Sequence, residues 1–107
     1  MSEQNDSTTE QAPPHAGQIV ARAVRLVNKT GLHLRPAALF VKTANRFPDC
    51  RVTVSNGVDR VNGKSIMGVV TLAAPCGTEL LIEVSGDEAE RAMTALCELV
   101  ANKFDGE

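Results

Sequence analysis

The sequence predicts an α+β domain: a four-stranded antiparallel sheet with three helices on one face, in the order βαββαβα. Three observations predict it. Residues 50–55 alternate apolar and polar side chains and run into Asn56-Gly57, the strongest hairpin signal in the chain. Two segments, 34–46 and 89–100, repeat apolar residues at helical spacing. The apolar run Leu80-Leu81-Ile82 suits a central place in a sheet.

Taken in order, Met1 to Gly17 is polar, contains Pro13-Pro14 and lacks Lys and Arg. Such a composition buries no core, so 1–17 is predicted to be a disordered extension and 18–107 the domain. His15 lies in this extension, where nothing orients or activates it, and it is assigned no role. Ile19 to Val27 is rich in Val and Ile and predicts the first strand. Val20, Val24 and Leu26 would share its inner face, with Arg22 an intruder near the edge. Asn28-Lys29-Thr30-Gly31 is turn material. The first helix is expected over Leu34 to Arg46, with Ala37, Ala38, Val41 and Ala44 as a small-residue stripe toward the sheet. Leu34 and Leu39 lie off that stripe, either tucked under a neighbouring loop or forming an apolar rim for docking. Phe47-Pro48-Asp49 ends the helix.

In the next strand Cys50, Val52 and Val54 point inward. A short strand returns over Val58 to Val61, with an extra residue expected to form a bulge. Ser65 then caps or opens a short helix running to about Leu72. Its Ile66, Met67, Val69, Val70 and Leu72 exceed what one buried face needs, so some should be exposed. Ala73 to Thr78 is a loop, and Glu79 to Val84 the last strand. Asp87-x-x-Glu90 has the pattern of a capping box. The helix it opens carries Ala89, Ala92, Met93, Leu96, Leu99 and Val100 as its inner stripe, with Lys103 at its negative end.

Composition narrows the function. The chain is 43% hydrophobic, and its three aromatic residues are all Phe, so an aliphatic core is expected. No apolar run approaches a membrane span, and the start has neither a basic region nor an apolar signal core, which makes the cytoplasm the expected location. Cys50, Cys76 and Cys97 show no CxxC or His spacing and read as reduced small hydrophobes; no metal or cofactor is expected. Charge is uneven: from Arg22 to Lys64 nine bases face two acids, and from Ser65 onward eight acids face two bases. With aromatic residues scarce, three Phe in all, and a slightly acidic whole, an acidic protein partner or a phosphoryl group fits better than nucleic acid.

The chemistry gathers at Thr30-Gly31-Leu32-His33-Leu34-Arg35-Pro36-Ala37-Ala38. Gly31 allows a tight turn, and His33 stands where a helix cap would stand. Pro36 falls in the first turn, where a missing N–H does little harm. The N–H groups of Leu34 and Arg35, with the positive end of the helix dipole, make a place for an anion. A histidine at a helix start is more often a cap or a surface residue. Here an imidazole, a guanidinium and an anion site coincide, as an exposed phosphoryl-accepting histidine requires. Imidazole must be neutral to attack, and a helix amino terminus disfavours its cation.

The run Gly31-Leu32-His33-Leu34-Arg35-Pro36-Ala37-Ala38 resembles the phosphorylation motif of the HPr family, the histidine phosphocarriers of the bacterial phosphoenolpyruvate-dependent phosphotransferase system. A second block, Asn62-Gly63-Lys64-Ser65-Ile66-Met67-Gly68-Val69, resembles the family's regulatory serine region, and the similarity runs from about Ile19 to Phe104. Leu34 departs from it, standing where a smaller residue is common, and the segment before Asn62 is about one residue longer.

The resemblance implies an open-faced β-sandwich and a carrier rather than an enzyme. It implies that His33 accepts a phosphoryl group, on Nδ1, from the phosphohistidine of Enzyme I and passes it to IIA components of sugar permeases. Arg35, the Leu34 and Arg35 amides and a Thr30 hydroxyl would hold the group. It implies phosphorylation of Ser65 in lineages with a dedicated HPr kinase/phosphorylase, and a docking face for which we name Leu34, Leu39, Ile66, Met67 and Val70. The alternative is a carrier in a nitrogen-type or transcriptional branch, with a transcriptional regulator among its partners. A non-phosphorylated regulatory module on this scaffold would lack His33. A phosphatase-like enzyme would need a base or carboxylate that the motif does not hold.

Overall fold

The computed structural model describes residues 19–106. The expected extension, and His15 within it, lie outside the described residues. The elements are β1 (Ile19–Arg25), α1 (Leu34–Ala44), β2 (Arg51–Ser55), β3 (Arg60–Asn62), α2 (Ile66–Thr71), β4 (Glu79–Ser85) and α3 (Ala89–Ala101). The strands form one antiparallel sheet in the order β1-β4-β2-β3. This is the expected α+β architecture, with the apolar 80–82 run on an inner strand.

Register sorts the two faces. Val84 pairs with both Val20 and Val52, and Ile82 pairs with Val54. All five are buried beneath the helices, where they meet Ala37, Phe40 and Ala44 of α1 and Ala92, Met93 and Leu96 of α3. The opposite face is open. It carries Ala23, Leu81, Ser55 and Arg60 in one row and Ala21, Glu83, Thr53 and Asn62 in the next. Arg60 meets Glu83 at 2.6 Å there, and the Thr53 hydroxyl donates to the same carboxylate at 3.3 Å.

Several expectations need correction. The α1 stripe runs through Pro36, Ala37, Phe40 and Ala44, whereas Ala38 and Val41 are only half-buried. The core is not purely aliphatic: Phe40, Phe47 and Phe104 are all buried. Leu81, inside the apolar run, is 40% exposed, because alternation along β4 sends it to the open face. The extra residue makes no bulge. Ser55 pairs with Arg60 and Val54 with Val61 without a slip, and the residue is absorbed in a four-residue turn. That turn is closed by the Asn56 N–H on Asp59 O, and the Asn56 side chain accepts the amides of Val58 and Asp59 at 2.9 and 2.8 Å.

The capping box at α3 does not form. Glu88 is the cap residue and makes no side-chain cap bond; it holds Arg91 at 3.3 Å, and Glu90 reaches Arg22 at 3.7 Å. The carboxylates thus serve guanidiniums rather than backbone amides. Arg22, the intruder on β1, finds its place beside α3 and Cys97. Burial pushes the Cys97 thiol up, with the Arg22 guanidinium drawing it partly back. Lys103 lies beyond the end of α3. Lys103, Phe104 and Asp105 adopt left-handed backbone angles, with φ of 55°, 52° and 63°, and the turn they make inserts Phe104 into the core. Each such residue costs about 1–2 kcal/mol, and burial of the Phe104 ring offsets it.

Candidate functional site

The segment from Asn28 to His33 is fixed at nearly every residue. The Gly31 N–H donates to Asn28 O at 3.1 Å, the Leu32 N–H to Ala74 O at 2.8 Å, and the His33 N–H to Gly31 O at 3.0 Å. Leu32 is buried beneath. Gly31 has φ +70°, and a β-carbon there would stand 2.3 Å from Ala74 O and 2.8 Å from Pro75. Glycine is needed twice over, for its backbone angle and for the approach of the 73–75 loop.

His33 is the N-cap of α1, extended at φ −85° and ψ −173°, exposed, and making no side-chain cap bond. The first amide satisfied by the helix itself is that of Ala37, 2.8 Å from His33 O. The Leu34 and Arg35 amides precede it, at the positive end of the helix. No acidic residue occupies the first turn of the helix. Pro36 takes the first-turn place where its missing donor does least harm, and it is buried.

The structure brings His33, Thr30, Leu34 and Val70 around one shallow, open depression, closed on its far side by Ala73, Ala74 and Pro75. Thr30 is exposed, and its hydroxyl oxygen lies 3.4 Å from the Asn28 side-chain nitrogen. Leu34 is 65% exposed. The Arg35 guanidinium lies over the C-terminal turn, 3.5 Å from Phe104 O. Leu39 is half-buried against the core.

Ser65 caps α2, accepting the Gly68 amide at 3.2 Å. Ile66 and Met67 are exposed beside it, Met67 at 73%. The two helices run in opposite senses. The carboxyl end of α2, with Val70, faces His33, whereas its amino end lies by the carboxyl end of α1, where the Asn45 side chain donates to Lys64 O. Ser65 therefore stands at the end of α2 away from His33.

Three features of the site were not readable from the motif. Asn28 is fully buried and donates to Gly31 O at 2.7 Å. The sequence marked it only as turn material, since burial of a polar turn residue leaves no periodic signal. The Lys64 ammonium donates to Phe47 O and Cys50 O, each at 2.6 Å, pinning the approach to β2 against the Ser65 turn. Phe104 comes from a chain end without periodicity. Among the described residues no group of three or more His, Cys, Asp or Glu is placed to hold a metal, and no helix is long and apolar enough to cross a membrane.

Comparison with known proteins agrees with this geometry. The family described as "PTS HPr component phosphorylation site" matches residues 20–102. The phosphocarrier protein HPr of Treponema pallidum is 45% identical over 89 residues, covering 83% of this chain and all of that protein. That of Pseudomonas putida is 49% identical over 86 residues, 79% of this chain and 94% of its own. The crystal structure of HPr-C-His from Thermoanaerobacter tengcongensis superposes with a TM-score of 0.78 at 41% identity, over 82% of this chain and 98% of that one.

Proposed function

The chain belongs to the HPr family of bacterial phosphocarriers, and on that premise we propose that His33 is the residue on which it carries the phosphoryl group. The observation that carries this reading is the exposed imidazole at the amino end of α1, beside the amides of a first turn that holds no acidic residue. The neutral ring attacks the phosphorus of phosphohistidine on Enzyme I. A new N–P bond forms on His33 as the donor's N–P bond breaks and its electron pair returns to the donor ring. The charge that builds on the transferred oxygens faces the helix end, with Thr30 at the same depression and the Arg35 guanidinium turning toward the group from its place over the C-terminal turn. Onward transfer goes to IIA components of permeases. An open depression suits this, because a deep pocket would hold the group too well to release it. The protein is consumed and regenerated as a stoichiometric carrier, and we place it in the cytoplasm with Enzyme I.

We further read Leu34, Ile66, Met67 and Val70 as the apolar ground on which these partners dock, with Leu39 supporting them from its half-buried position. Ser65 is the regulatory position. A phosphoryl group there adds close to two negative charges at the α2 amino end and repels an acidic partner. Incubation with phosphoenolpyruvate and Enzyme I should yield acid-labile phosphate on the wild type and on His15→Ala. His33→Ala should yield none; label surviving that substitution would refute the assignment.

A further inference from the structure

Asn28 is the one buried polar residue among those described, and its side chain is spent on the turn that presents His33. Its amide nitrogen donates to Gly31 O at 2.7 Å, and the same oxygen accepts the His33 N–H at 3.0 Å. The Gly31 amide, in turn, donates to Asn28 O. Asn28 thus grips residue 31 by both its carbonyl and its N–H. This grip falls where the backbone is most permissive. Gly31 sits at φ +70°, and a glycine there tolerates rotation of the peptide that follows it. Rotation of the 31–32 peptide would turn the carbonyl away from the His33 amide and the Leu32 N–H away from Ala74 O.

We propose that Asn28 is a positioning residue for phosphoryl transfer: by fixing the Gly31 carbonyl it holds His33 at the helix cap in its reactive orientation. The proposal rests on His33 as the acceptor. The Asn28 bonds to Thr30 and Gly31 all lie within the turn itself, so its loss should act on the chemical step rather than on encounter. A displacement of the acceptor ring by a fraction of an ångström is enough to slow in-line transfer.

The test uses Asn28→Ala and Asn28→Ser in the full chain, with Enzyme I turnover measured against acceptor concentration. The turnover number with Asn28→Ala should fall by about tenfold, the size of one lost buried hydrogen bond, at unchanged KM. Amide exchange at Leu32 and His33 should quicken in the same protein before any phosphate is added. Asn28→Ser, which keeps a short donor, covers the case in which the alanine variant melts below the assay temperature, and it should show the same split. A folded variant with unchanged turnover and unchanged exchange overturns the positioning role. A fall in thermal stability with wild-type turnover also overturns it, since that is a merely structural residue. Failure of the wild type to accept label at His33 would instead sink the carrier reading, and this proposal with it.

Discussion

The Leu32 amide donates to the Ala74 carbonyl at 2.8 Å, and that bond joins the segment carrying His33 to the loop facing it across the depression. The same carbonyl fills the space a β-carbon on Gly31 would need. Gly31→Ala must therefore break the bond or push the loop away, besides placing alanine at φ +70°. We expect a loss of roughly 2 kcal/mol or more in urea unfolding. Phosphoryl acceptance should slow in whatever fraction stays folded. Wild-type stability would mean that the loop yields freely.

Ser65 caps α2, and the regulatory role proposed for it is one that substitution can separate from the cap. Ser65→Ala removes the acceptor of the Gly68 amide and should cost about 1 kcal/mol, read from the unfolding midpoint. Ser65→Asp retains a capping oxygen and adds charge at the favourable end of α2, so its stability should stay near wild type. Its phosphorylation by Enzyme I should nonetheless be slower. Equal rates for Ser65→Asp and wild type would remove the regulatory role.

Lys64 is expected to matter for folding rather than transfer. Its ammonium serves two carbonyls at 2.6 Å, and Lys64→Met leaves both without that donor. A loss of about 1.5–3 kcal/mol should follow, the range for hydrogen bonds to a charged group. The turnover of folded protein should be little changed.

The three cysteines should differ sharply toward iodoacetamide. Cys76 is exposed, Cys50 is buried, and Cys97 is half-buried with its thiol pushed up by burial. Because the thiolate is the nucleophile, Cys97 should react only as the pH rises well past neutrality, whereas Cys76 should label first. Mass mapping after short exposure at pH 7.5 checks the order. Early labelling of Cys97 would mean that α3 opens readily from β1.

The sequence carried the sheet, the three helices and the histidine cap because each leaves a local mark: alternation at 50–55, apolar recurrence at 89–100, and a Gly-x-His-x-x-Pro turn into a helix. What it did not carry depends on contacts between distant segments. The helical stripe read from the sequence passes over Phe40, and only the sheet beneath α1 selects it over Val41. The acids at 87–90 fit a capping box, but Arg22 and Arg91 claim Glu90 and Glu88 instead. Nothing in Lys103-Phe104-Asp105 announces a left-handed turn; it exists because the core accepts the Phe104 ring.

The opposed directions of α1 and α2 set the reach at which Ser65 can be felt. A visitor covering only the tip of α1 ends short of Asn45 and Lys64, and a charge at Ser65 leaves it nearly unaffected once salt screens the gap. One whose footprint extends along both helices must cover that charge and desolvate it. On the proposed reading, a phosphoryl group on Ser65 would therefore grade visitors by the breadth of their footprint, excluding the broad and admitting the narrow, with no movement of the imidazole required.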